Sequence, residues 1–121
     1  MNSILNSVKK VLGLEETYTS FDVDILMHIN SMFGVLHQLG IGPDAGFVIE
    51  DDSSVWSDFL DDDVLLNSAK TYVYLRVRML FDPPTTSYLI TAMEKQISEI
   101  ERRLNVYREG KLYPLVDEVV I

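Results

Sequence analysis

The 121-residue sequence has no cysteine. That excludes a disulfide framework and any thiolate nucleophile or metal ligand, and it fits a cytosolic product. Basic residues are scarce: 10 Lys and Arg stand against 19 Asp and Glu, for a net charge of −9. Binding duplex nucleic acid needs several cationic phosphate contacts, so this chain is a poor candidate for it. The acidic excess favours solubility. No apolar run approaches the roughly 18 residues of a membrane span. The opening stretch MNSILNSVKKVLGLEE lacks the apolar core and cleavage pattern of a signal peptide. Gly40-Ile41-Gly42 is followed by Pro43 rather than by a helix bearing Lys-Ser/Thr, so no phosphate-binding loop is present. There is no internal repeat and no low-complexity segment.

What the sequence does have is enough apolar residues, 47%, to bury a modest core in one domain. The periodicity predicts a mainly α protein: a small helical bundle of four to five helices, a short extended or β loop, and an extended C-terminal arm. Ile4, Leu5, Val8, Val11 and Leu12 recur at helical spacing over Ser3–Leu12, and Gly13 stops them. Thr19-Ser20 offers the cap of a second helix, with Asp22 and Asp24 in its first turn, where the helix dipole favours acid. Its apolar face is Ile25, Ile29, Met32, Leu36 and Leu39, and Gly40 ends it. Gly34, mid-helix, points to close approach by a neighbour or is simply tolerated at a cost of about 1 kcal/mol. Gly42-Pro43-Asp44-Ala45-Gly46 is turn chemistry, and Phe47-Val48-Ile49 reads as a short strand or an extended loop. Ser53 or Ser54 caps a short helix carrying Trp56, Phe59 and Leu60.

Asp61 or Asp62 caps the fourth helix. Its stripe of Leu66, Ala69, Val73, Val77 and Leu80, widened by Leu65, Tyr72 and Met79, marks it as the most buried one. Asp82-Pro83-Pro84 ends it, because proline disfavours helical geometry in the preceding residue and cannot donate. Thr86 or Ser87 caps a fifth helix running to about Arg108, with Leu89, Met93, Ile97, Ile100, Leu104 and Tyr107 at roughly seven-residue steps. Glu99 and Arg103 fall one turn apart as a favourable pair. Gly110 is expected to break this helix, leaving a helical domain over residues 1–110 and an arm over 111–121.

The search for chemistry is negative. His28 and His37 are nine residues apart on one helix, about half a turn out of phase, and cannot share a metal. Glu50-Asp51-Asp52 and Asp61-Asp62-Asp63 are consecutive acids without the glycine turn and closing glutamate of a calcium loop. They read as caps and solvated residues, with a weak divalent-cation site as the minority view. The serines lack a His/Asp partner arrangement. Glu15-Glu16 and Glu99/Glu101 show no sign of a pocket. No catalytic, cofactor-binding or metal residue is assigned.

Two features suggest contacts. Arg76 and Arg78 lie about 200° apart on the fourth helix, so at least one must turn toward apolar neighbours. It needs a carboxylate there, supplied either within the chain or across a subunit interface. The arm carries Leu112, Tyr113, Leu115, Val116, Val119, Val120 and Ile121 beyond Gly110. It either folds back on its own domain or docks on a neighbouring subunit or another protein. Exposed in a free monomer, it would be a sticky patch.

The order of parts resembles a known family. VKKVLGLEE (Val8 to Glu16) is followed by FDVDILMHINS (Phe21 to Ser31), then the turn and extended piece, then WSDFL (Trp56 to Leu60). KTYVYLRVRMLFDPP (Lys70 to Pro84) and SYLITAMEKQISEIERRLNV (Ser87 to Val106) close the pattern. Over about residues 3 to 108 this is similar to the small head–tail connector, or adaptor, proteins of tailed bacteriophages and prophages. The resemblance implies a structural virion subunit with no enzymatic activity and no cofactor. It implies a ring, typically of about twelve copies, that docks on the phage portal protein and extends the DNA channel. The ring would also offer an attachment surface to a stopper or tail-completion protein. DNA would pass through without sequence-specific binding, past an acid-rich lining, and no membrane would be involved. Such a protein is made in the bacterial host cytoplasm and resides in the virion neck. The arm, Lys111 to Ile121, would be the part that reaches the portal. The competing expectation is a small helical protein-binding or regulatory module, monomeric or dimeric, using the stripe on the fifth helix.

Overall fold

In the computed structural model, which describes residues 3–61 and 63–112, the first helix forms and stops before Gly13 as the sequence predicts. Ser3 caps α1 (Ile4–Val11), its hydroxyl accepting the Asn6 amide at 3.2 Å. Of the predicted apolar stripe, Ile4, Leu5 and Val8 turn inward and Leu12 closes the helix before Gly13, whereas Val11 is exposed. The second helix, α2 (Asp22–Gln38), buries Ile25, Ile29, Met32, Phe33 and Leu36. Its cap differs from the expectation. Phe21, not Thr19 or Ser20, holds the cap position, with no side-chain capping bond. The Phe21 ring instead packs edge-on between Tyr18, at 5.7 Å, and Phe81, at 5.3 Å. Aromatic packing thus fixes the helix entry, and Asp22 and Asp24 supply the dipole complement.

Residues Phe47-Val48-Ile49 are extended but form no strand. Asn30 supplies what a partner strand would. Its amide donates to the Ile49 carbonyl at 2.9 Å and its carbonyl accepts the Ile49 amide at 2.8 Å. One side chain thereby satisfies both backbone groups of a buried residue. The short helix α3 (Trp56–Phe59) is likewise not capped by serine. Asp58 reaches back to accept the Val55 amide at 3.0 Å, while Ser53 is engaged in a local turn with Asp51.

The long helices are α4 (Asp63–Phe81) and α5 (Ser87–Leu112). Asp82-Pro83-Pro84 ends α4 as predicted, and Thr86 caps α5 by accepting the Leu89 amide. The expected cap at Asp62 lies outside the described residues. The expected break at Gly110 is absent, because α5 continues through it to Leu112. A lone helical glycine costs only about 1 kcal/mol, too little to stop a helix of this length. Glu99 and Arg103 stay exposed and form no ion pair with each other.

α4 is the central element, packing on α1, α2 and α5. It buries Ala69, Tyr72, Val73 and Val77. Leu80 departs from the predicted stripe: it is 50% exposed. α2 and α5 both run antiparallel to α4, so α2 starts where α4 ends. Loop 41–54 lies against α2, and an aromatic cluster of Phe33, Phe47, Trp56 and Phe59 fills the space beneath it. Among the described residues the fold has five helices and no strand, only an isolated bridge between Ser3 and Val55.

Two glycines in this region have opposite requirements. A Cβ at Gly42, where φ is +97°, would lie 2.5 Å from the Phe59 ring; at Gly34 a Cβ would meet nothing within 4 Å. The close approach expected at Gly34 therefore does not occur within the chain. Gly34→Ala is expected to raise stability by about 0.5–1 kcal/mol, and Gly42→Ala to lower it by at least about 1–2 kcal/mol. Urea unfolding midpoints of the two variants should move in opposite directions.

Candidate functional site

The two arginines singled out by sequence are both engaged within the chain. Arg76 Nη1 donates to Glu101 Oε2 at 3.0 Å and to the Tyr72 hydroxyl at 2.8 Å, and that hydroxyl donates to the same carboxylate oxygen at 2.8 Å. The guanidinium also lies 5.5 Å from the centre of the Tyr72 ring. Sequence spacing places Tyr72 and Arg76 one turn apart on α4. It cannot show that Glu101, twenty-five positions later on α5, closes the triangle. The arrangement orients α5 on α4 by two polar contacts at the edge of the core, with the Arg76–Tyr72 bond bracing them from within α4. Arg78 does a different job: its Nε donates to the Asp82 carbonyl at 2.8 Å, satisfying a backbone acceptor at the end of α4.

Tyr72 is buried, and burial with the Glu101 hydrogen bond pushes its pKa up to about 12. An unfolded tyrosine titrates near 10. Between about pH 10 and 12 the unfolded chain loses this proton while the folded chain keeps it. The stabilisation is therefore complete below about pH 10 and is lost as pH rises through about 12. Tyr72→Phe is expected to cost about 1 kcal/mol at neutral pH. The stability difference between wild type and variant should shrink across the alkaline window when urea midpoints are followed with pH.

A polar core contact escaped the sequence reading. Lys9 is 1% exposed, and its ammonium lies 2.9 Å from Asp22 Oδ1 and donates to the Glu16 carbonyl at 3.0 Å. It clasps the connection 12–21 between α1 and the start of α2. One signal was available: Lys9 follows Leu5 by four residues and so shares the buried stripe of α1. Trp56 is a second anchor, donating its indole N–H to Ser7 Oγ at 2.9 Å while Lys70 lies over its ring.

No catalytic constellation is assembled among the described residues. His28 and His37 do not converge on one site; His37 is exposed beside loop 45–48. Among the described residues, no group of three or more His, Cys, Asp or Glu could hold a metal ion. Asp51 has its pKa lowered by the Ser53 hydroxyl and amide, which is the signature of a local turn. No helix among the described residues is long and apolar enough to cross a membrane. The middle of the α5 stripe is spent internally, since Ile97, Ile100 and Leu104 are buried and α5 packs on α4, whereas its ends, Leu89 and Tyr107, are exposed. Further apolar exposure lies at Val23 and Met27 on α2, Leu80 at the end of α4 and Tyr88 at the start of α5. Leu112 is the last residue of α5, and Tyr113, Leu115, Val116, Val119, Val120 and Ile121 lie outside the described residues.

A family model described as phage connector protein matches residues 4–111. No curated protein and no solved structure matches the chain.

Proposed function

The chain belongs to the phage connector protein family, and from that membership we infer that it is a structural subunit of the head–tail junction of a tailed bacteriophage. The carrying observation is the extent of the match, residues 4–111, which takes in α1 to α4 and all but the last residue of α5. Copies assemble into a ring of about twelve seated on the portal protein. The opposite face of the ring receives a stopper or tail-completion protein. The role asks for rigidity rather than chemistry. A central α4 packed on three other helices, with α5 fixed to it by Tyr72, Arg76 and Glu101, supports that reading.

DNA passes through the ring without sequence-specific contact. A net charge of −9 per copy disfavours adhesion of the phosphate backbone during passage. Arg76 and Arg78 act inside the subunit. The arm, residues 111–121, provides the apolar contact to the portal or to a neighbouring copy.

The test is made on particles. Virions carrying a tagged copy are purified, and the chain is counted by quantitative mass spectrometry and located by electron microscopy. About a dozen copies at the head–tail junction are expected. Absence of the chain from intact particles would overturn the assignment. It would favour instead a regulatory module bound to a non-virion protein.

A further inference from the structure

An open hollow of about 260 Å³ lies between α2 and loop 45–48, lined by Phe33, Gly34, His37, Ala45, Phe47 and Val48 among others. Its lining has no carboxylate, ammonium or guanidinium, which is unusual on a chain of net charge −9. Gly34 keeps it open, since a Cβ there would project into empty space. A helix with glycine at this position is less stable than one with alanine, and nothing inside the subunit requires it. The hollow suits one large, uncharged side chain with an aromatic face for Phe33 and Phe47.

The same chain presents such a side chain elsewhere. Tyr88, on the first turn of α5, is 81% exposed, and the stretch from Pro83 to Met93 around it has no charged residue. Tyr88 cannot reach its own hollow. α2 and α5 run parallel, so Tyr88 sits level with the start of α2. The hollow lies about 15–20 Å further along, on the side of α2 away from Val35 and Leu39, which face α5. Charge matches as well as shape. Lys95 lies two turns below Tyr88 on the same outer face of α5, and Asp44 adjoins Ala45 at the rim of the hollow. Both are exposed, and neither has an ion pair among the described residues.

We propose that Tyr88 of one copy seats in the hollow between α2 and loop 45–48 of the next copy, with Lys95 meeting Asp44 at its rim. This deepens the ring assignment above and rests on it. The two halves are different surfaces of one chain, so within a ring they meet head-to-tail and the contact repeats in one direction.

The test replaces Tyr88 with photoreactive benzoylphenylalanine in phage-borne protein and irradiates purified particles. Covalent multimers of the chain are expected, joined between position 88 and a peptide within residues 30–48. In parallel, Lys95→Asp is expected to lower incorporation into particles about tenfold, and adding Asp44→Lys should restore it. Cross-links to another segment or another protein would overturn the contact while leaving the neck assignment intact. So would a Lys95→Asp loss that Asp44→Lys does not rescue, or no loss at all. Absence of the unmodified chain from particles would overturn both.

Discussion

Val77→Asp is expected to leave the chain unfolded in buffer without denaturant. Val77 is fully buried on α4, the helix against which α1, α2 and α5 pack. The substitution removes an apolar side chain whose burial contributes about 1.5–3 kcal/mol. It also places an unpaired carboxyl in the core at a cost of several kcal/mol more. Together these approach the whole net stability of a small domain, about 5–15 kcal/mol. Circular dichroism should show most of the helix signal gone, with no cooperative thermal transition. Leu80→Asp, three residues on, is the control. Leu80 is half exposed, so its aspartate can remain hydrated. The new acid sits near a helix C-terminus, where the dipole disfavours it by about 0.3–1 kcal/mol. A small drop in thermal midpoint with normal helicity is expected. Equal collapse of both variants would refute the placement of Leu80 at the bundle edge.

Deleting Lys111 to Ile121 is expected to have the largest effect on assembly and little effect on the fold. The last core residue contributed by α5 is Leu104, so the truncation spares every buried apolar side chain among the described residues. Helicity and urea midpoint should be nearly unchanged, whereas incorporation into particles should fail. Loss of helix content in proportion to incorporation would show that the arm belongs to the domain core.

Much of this architecture was legible in the sequence, and the places where it was not have physical causes. The Gly13 stop and the Asp-Pro-Pro stop act locally and were readable, because glycine and proline geometry depend on near neighbours. Phe21 was not readable as a helix cap, since its role depends on a ring sixty positions away, Phe81. Glu101 as the partner of Arg76, and Asn30 as the clamp on Ile49, are likewise facts of tertiary placement. Leu80 lies on the stripe yet is half exposed, because periodicity identifies a stripe but not which of its positions neighbouring elements cover. Gly110 was misjudged because a single glycine weakens a helix without ending it. The family pattern, by contrast, was carried by the order of elements and several short strings, which need no tertiary knowledge.

The stitching of α1 to the middle of the chain sets an order of events during synthesis. Ile4 donates its amide to the Ser54 carbonyl, and Ser7 accepts from Trp56, about fifty positions later. A ribosome adds about 5–20 residues per second, so α1 exists for seconds before either partner does. Its inward face packs on both α2 and α4, so its cover stays incomplete until α4 emerges. α4 and α5, joined by a five-residue connection, close with little loop entropy. The earliest segment to be made therefore completes its contacts only after α4 has been added.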